Sequence, residues 1–249
     1  MPADMSSPSS GSLMSNSCRR AVSPRQLRRL WYGIAASGLF MLTACAEGSQ
    51  RPDYDAWHQS ISALSLGPTG WLQTLSFILL GAIIVSTGFV WSRILAGGTG
   101  AAAFPALIGL SGVSLIVCGI FPQDPAPGYD PMQLHLTAPT VPGLIHLGFA
   151  AVAAFSSVAS LFVMARRFRG DTAWRGWSAY SIVVAVAMLV CALTYGIWSR
   201  AATGYAGTFE RLVLLLPALW CMTFVWRLGK GVPFMQQPAP AHAGVDIVS

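Results

Sequence analysis

Residues 143–165 read GLIHLGFAAVAAFSSVASLFVMA, a stretch of twenty-three residues that contains no Asp, Glu, Lys or Arg. At about 1.5 Å of rise per residue, a helix of this length spans the ~30 Å hydrocarbon core of a bilayer. A helix suits that environment because it satisfies its backbone hydrogen bonds internally. This stretch therefore predicts a transmembrane helix.

Five further apolar blocks of similar length lie along the chain, at residues 30–46, 71–92, 102–121, 177–198 and 209–228. Of the 249 residues, 54% are hydrophobic and 10% are charged. Soluble domains carry about a quarter charged residues, so the composition also indicates a membrane protein. We predict an all-α fold, a polytopic membrane helix bundle with about six transmembrane helices.

Polar segments flank the hydrophobic region. Residues 1–28 are rich in Ser, Pro, Met and Gly and have too few apolar residues to pack, so we predict a disordered cytoplasmic tail. Residues 29–228 are expected to form the transmembrane domain, and residues 229–249 a second disordered tail. The segment Leu42-Thr43-Ala44-Cys45 resembles a lipoprotein cleavage site with lipid on Cys45. Because five more apolar blocks follow it, an uncleaved first helix is the preferred interpretation, and lipidation of Cys45 is the alternative.

The basic residues predict the orientation. If the N-terminus is inside, twelve of the fifteen Lys and Arg residues lie on the inner side, and only Arg51, Arg200 and Arg211 lie outside. Cytoplasmic loops of membrane proteins carry an excess of basic residues. We therefore expect a multi-pass protein of the cell inner membrane with both termini in the cytoplasm. The net charge of +6 is explained in the same way, so membrane lipids are the expected partners and nucleic acid is not.

The outer segment after the first block has a helical period. One stripe of such a helix would contain the residues at i, i+3, i+7 and i+10, which are Tyr54, Trp57, Ile61 and Leu64. Pro52 suits the first turn of a helix, and Gly67-Pro68 would end it. We predict a short extracytoplasmic amphipathic helix over residues 52–66, lying at the membrane surface with its Trp and Tyr at headgroup depth.

Residues with functional side chains are concentrated on the same outer side, which holds six of the nine acids and three of the four histidines. The candidate ligand-binding residues are His58, Ser62, Asp124, His146 and Glu210. His58 and Ser62 lie one turn apart on the predicted helix, and two prolines flank Asp124. His146 lies near the membrane boundary, where an ionisable side chain is costly unless it faces the bundle interior or water.

Two functions remain open. The first is binding of a lipid or small ligand at the outer face. The second is a membrane-embedded hydrolase in which His58, Asp124 and His146 hold a divalent metal whose bound water attacks the substrate. No motif such as H-E-x-x-H supports the metal, and the sequence identifies no cofactor. Haem would need facing histidines in opposed helices, where only His146 qualifies. Ion-coupled transport is disfavoured because mid-membrane charges are lacking.

Several motifs on the outer side resemble those of a known family. They are Arg51-Pro52-Asp53-Tyr54, then His58-x-x-x-Ser62-x-x-Ser65-x-Gly67-Pro68-x-Gly70-Trp71-Leu72-Gln73, with shorter matches at Phe121-Pro122-x-Asp124 and at the helix opening near His146. From about residue 30 to 228 the chain resembles the membrane proteins catalogued as domain-of-unknown-function family 998. The resemblance implies a prokaryotic six-helix membrane protein and implies no assigned chemistry.

Overall fold

Six long helices make up most of the described chain. The computed structural model describes residues 22–126, 128–199 and 204–232. The helices are α1 (Pro24–Ser49), α2 (Gly70–Ile94), α3 (Ala103–Ile120), α4 (Val141–Phe168), α5 (Trp177–Trp198) and α6 (Ala206–Gly229). All six are long and apolar enough to cross a membrane, which confirms the predicted fold class of a multi-pass membrane helix bundle.

The helices form a closed ring. Each helix packs against its neighbours in chain order, and α1 packs against α6. Small residues allow the closest approach, between α2 and α3. A Cβ atom on Gly112 would lie 2.7 Å from the Gly81 carbonyl oxygen, and one on Gly119 would lie 2.9 Å from that of Thr74. Such contacts hold membrane helices together through van der Waals packing, where lipid provides no hydrophobic drive between helices.

Consecutive helices run in opposite directions, so the segments that connect them lie alternately at the two ends of the ring. These two ends differ chemically. At one end lie residues 50–69, which we call the cap, together with residues 121–126 and 128–140; we call this the capped end. The other, basic end holds most of the described basic residues: Arg25, Arg28, Arg29, Arg93, Arg166, Arg167, Arg169, Arg175, Arg227 and Lys230.

Aromatic side chains fill the basic end of the ring. The cluster consists of Trp91, Phe104, Phe168, Trp174, Trp177, Trp220 and Phe224. The rings of Trp91 and Phe224 stack with their centroids 5.3 Å apart. Arg227 lies over the Trp174 ring at 5.1 Å and donates to the Ala173 carbonyl at 2.7 Å, which places the cation against the aromatic face. This packing closes the ring at the basic end.

The first helix starts earlier than the sequence predicted. Ser23 and Gln26 form a capping box, and Pro24 occupies the first turn. Residues 24–28, assigned to the tail from their polarity, therefore belong to α1. Residues 1–21 and 233–249, which hold most of the two predicted tails, lie outside the described residues, so their disorder stays a prediction.

The cap does not form the predicted amphipathic helix over 52–66. Turns lead instead into a five-residue 3-10 helix, Ile61–Ser65. The Gln59 side chain accepts a hydrogen bond from the Asp55 backbone N–H, and such local bonds compete with helix formation. Of the predicted apolar stripe, only Trp57 is exposed. The other three residues pack into the capped end of the bundle, so protein rather than the membrane surface covers them.

Candidate functional site

The ring of helices surrounds a cavity of about 640 Å³ that is partly open to the outside. All six helices line it, and Ser62 of the cap lines it at one end. Its walls are mainly aliphatic and aromatic, with side chains such as Phe77, Leu115 and Trp220. Among the described residues around the cavity, Glu210 is the one charged side chain, and none is Lys, Arg or His. Ligand pockets in proteins have volumes of about 300–1,000 Å³ and a few polar groups on apolar walls, as this cavity has.

Glu210 and Ser62 meet at the capped end of the cavity. Glu210 lies in the first turns of α6, and its carboxylate accepts hydrogen bonds from the backbone N–H groups of Ile61 and Ser62 and from the Ser62 hydroxyl at 2.8 Å. The 3-10 helix presents these donors because its first N–H groups have no partner within the helix. The structure thus brings together two of the five candidate residues. Their carboxylate and hydroxyl form the polar end of an apolar space.

Arg211 anchors the cap and does not pair with Glu210. Its guanidinium donates to the Ala56 carbonyl at 2.6 Å and to the Tyr54 hydroxyl oxygen at 2.7 Å. The Tyr54 hydroxyl in turn donates to the Ser60 carbonyl at 3.0 Å. Burial raises the pKa of Tyr54 to about 12, so its hydroxyl stays neutral and keeps its proton for this bond at ordinary pH.

Arg51 fixes the other side of the cap. Its side chain is 12% exposed. It donates to five acceptors: the carbonyls of Leu64 (2.9 Å) and Leu66 (2.6 Å), the hydroxyls of Thr69 (2.8 Å) and Tyr129 (2.9 Å), and the carboxylate of Glu47 (3.3 Å). A guanidinium has five N–H donors in a rigid fork, so Arg joins several separate chain segments in a way that Lys does not. Charge counting places Arg51 and Arg211 on the outer side but predicts no contact for either residue.

Asp124 has a structural role in this arrangement. Its carboxylate accepts from the backbone N–H of Thr140 at 2.9 Å and from the Thr140 hydroxyl at 2.5 Å. Thr140 is the N-cap of α4, and an acidic group at a helix N-terminus is favourable. A Cβ atom on Gly143 would overlap the Asp124 carboxylate. Asp124 therefore joins the end of α3 to the start of α4.

His146, in the first turns of α4, is buried against the end of α3. Its Nδ1 donates to the backbone carbonyls of Phe121 at 2.8 Å and Cys118 at 3.0 Å, and its ring meets the Phe77 ring edge-on at 6.2 Å. The side chain is 2% exposed. His146 thus satisfies two carbonyls at the end of α3, where a helix lacks internal partners.

His58 lies at the surface of the cap. Its Nδ1 is 2.7 Å from the Asp55 carboxylate, and its ring stacks on Tyr205 with centroids 4.8 Å apart. Hydrogen bonds from the Trp57 backbone N–H and from His58 hold the pKa of Asp55 below its usual value. The partners of the His58 side chain, Asp55 and Tyr205, therefore lie at the surface of the cap.

The candidate metal ligands His58, Asp124 and His146 therefore have three separate sets of partners. In the described ranges, no three His, Cys, Asp or Glu side chains are grouped so that they could hold a metal ion. The Ser62 hydroxyl bonds to a carboxylate and not to an imidazole. The metal-dependent hydrolase considered from the sequence has no assembled centre among these residues.

Comparison with known proteins gives one informative result. No curated protein and no solved structure matches the chain. The family model described as "Protein of unknown function (DUF998)" matches residues 34–227, from the middle of α1 to the last turn of α6. The match includes the cap and the Ser62–Glu210 pair, and it confirms the resemblance seen in the sequence motifs. The chain belongs to the DUF998 family of proteins of unknown function.

Proposed function

We propose that this membrane protein binds a lipid-like amphiphile inside its ring of helices. The apolar chain of the ligand lies in the cavity, and its polar end lies at Ser62 and Glu210. The observation that carries the proposal is the cavity of about 640 Å³, which is apolar along its walls and polar at its capped end. Protein interiors are close-packed, so a space of this size indicates a binding site rather than a packing defect.

The surface between α4 and α5 supports access from the bilayer. Four side chains there both line the cavity and are 38% to 71% exposed: Leu147 and Phe155 on α4, and Leu193 and Ile197 on α5. Gly196 also lines the cavity, and a Cβ atom added to it would meet no atom within 4 Å. An apolar chain can enter through such an opening without leaving a hydrocarbon environment.

The orientation of the protein belongs to the same proposal. Ten of the described basic residues lie at the basic end, and the two at the capped end, Arg51 and Arg211, are bound within the cap network. The positive-inside rule then favours a cytoplasmic basic end and a capped end on the outer side of the inner membrane. In this orientation Ser62 and Glu210 lie at the level of the outer leaflet.

Cavity filling tests the proposal. Ala192 on α5 lines the cavity, and Val190 on the same helix is 55% exposed and does not line it. Ala192→Phe is expected to displace the bound amphiphile, whereas Val190→Phe is expected to leave it in place. The measurement is the amount of amphiphile that co-purifies with each protein, by native mass spectrometry and solvent extraction. Equal amounts in the two variants would contradict the proposal.

A further inference from the structure

The charge at the polar end of the cavity restricts the ligand. Glu210 faces the cavity, and its sequence neighbour Arg211 is turned away from it toward the cap carbonyls. Among the described residues, the ion pairs involve Glu47, Asp55 and Asp130, and none involves Glu210. The carboxylate thus lies at the end of an apolar space without an ion pair among the described residues; Arg211 attracts it through space but gives its hydrogen bonds to the cap.

Glu210 retains capacity for one more strong interaction. A carboxylate has about four acceptor sites, and the cap donates to Glu210 from two backbone N–H groups and one hydroxyl. Buried charges in proteins are usually paired, because an isolated charge in an apolar medium is strongly disfavoured. The attraction between a cation and this carboxylate is stronger than in water, since the apolar walls screen it weakly, and it offsets the cost of taking the cation out of water.

We infer that the ligand is a cationic amphiphile, a long apolar chain with an ammonium head group that pairs with Glu210. This inference rests on the function proposed above. Anionic head groups such as phosphates are excluded from the cavity because no described basic side chain lines it and a carboxylate occupies its polar end. The lining residues of α6 run from Glu210 to Met222, a rise of ~18 Å, which accommodates a long extended chain.

Three probes with the same chain test the head-group preference: hexadecylamine, 1-hexadecanol and hexadecyl sulfate. Binding is measured to the full-length protein in nanodiscs of neutral phosphatidylcholine, with the Ala192→Phe protein as the reference for partition into the lipid. The amine is expected to bind about tenfold or more tightly than the alcohol, the difference between a charged and a neutral hydrogen bond. The sulfate is expected to show no binding above the reference. An alcohol that binds as tightly as the amine would overturn the inference.

Two matched substitutions locate the preference. Glu210→Gln is expected to bring the ratio of amine to alcohol affinity close to one. Glu47→Gln makes the same change at the same end of the bundle, but Glu47 does not line the cavity, so the ratio is expected to stay as in the wild type. The ratio is used because a general weakening of the cap lowers both affinities together. An unchanged ratio in Glu210→Gln would refute the assignment of the head group to this residue.

The outcomes separate this inference from the function on which it rests. If none of the three probes binds the wild type better than Ala192→Phe, both the cavity function and the head-group inference fail. If the alcohol binds in the cavity and the amine has no advantage, the cavity function stands and the cationic ligand is wrong.

Discussion

Replacing Arg51 by Met tests whether the cap is held by its guanidinium. The substitution keeps an unbranched apolar side chain and removes all five donated hydrogen bonds, which join the end of α1, the 3-10 helix, the start of α2 and Tyr129. Each hydrogen bond to a charged group contributes about 1.5–3 kcal/mol, but the losses do not add. Once the cap detaches, water satisfies its carbonyls, so the effect has an upper limit. We expect a loss of about 3–5 kcal/mol, typical of breaking a buried ionic group.

The assay combines thermal unfolding in a mild neutral detergent with hydrogen exchange of the cap. Arg51→Met is expected to lower the melting temperature and to speed exchange at residues 61–66 more than in the aromatic cluster of the basic end. Arg93→Met, at an exposed position of the basic end, is the control and is expected to change stability by less than about 0.5 kcal/mol. Arg51→Lys should recover only part of the loss, because Lys lacks the planar fork. Wild-type stability and wild-type exchange in Arg51→Met would refute the role assigned to Arg51.

Three further predictions concern α4, Tyr54 and the membrane orientation. Gly143→Ala is expected to destabilise the protein by about 1–3 kcal/mol because the added methyl overlaps the Asp124 carboxylate, whereas Gly148→Ala, where a Cβ meets no atom within 4 Å, should be neutral or slightly stabilising in thermal unfolding. Tyr54 has a pKa raised from 10.0 to about 12, so its neutral form stabilises the fold; this contribution is complete below pH 10 and is lost between about pH 10 and 12. Hydrogen exchange of the cap should show that loss in the wild type, and the same alkaline step in Tyr54→Phe would exclude Tyr54 as its cause. A green fluorescent protein fused to the C-terminus is expected to fluoresce and an alkaline phosphatase fused there to be inactive; the reverse pattern would place the capped end in the cytoplasm.

The sequence predicts the helices well because length and apolar content are the quantities a bilayer selects. The predicted block 177–198 coincides with α5, and the quoted stretch 143–165 lies wholly within α4. The ends of the helices were predicted less accurately, since capping residues rather than hydropathy decide where a helix begins and ends. At α4 the sequence does contain the signal for the helix start, because Thr140 followed by Pro142 is a typical beginning of a helix. Asp124 accepts a hydrogen bond from the Thr140 backbone N–H at this helix start, which makes it a structural acceptor.

The cap shows a limit of periodicity. A stripe at helical spacing identifies residues that will be covered by something apolar, but it does not say whether lipid or protein covers them. In the cap, Tyr54, Ile61 and Leu64 are covered by the bundle. Backbone groups of the cap find side-chain partners: the Leu64 carbonyl accepts from Arg51, the Ile61 N–H donates to Glu210 and the Gln59 carbonyl accepts from Arg211. No regular helix is needed to satisfy these groups.

The candidate site was predicted in part. Ser62 and Glu210 were both selected, as an outer-face serine and an acid at a helix start, but their contact joins residues 148 positions apart and no local spacing reports it. His58 was selected for its one-turn spacing from Ser62, and His146 because an ionisable side chain near the membrane boundary is costly. In the fold, one stacks on a tyrosine at the surface and the other satisfies backbone carbonyls. Residue type suggested the chemistry, whereas long-range packing decided the partners.

The contact between Glu210 and the 3-10 helix also sets an order of events during synthesis. A ribosome that adds about 5–20 residues per second makes the 148 residues separating Ser62 from Glu210 in roughly 7 to 30 s. Throughout that interval the nascent cap is exposed at the membrane without its final acceptor, and the ring lacks its last wall. The chain is able to hold a ligand in its interior only when α6 has been inserted, so one helix completes both the cap and the cavity.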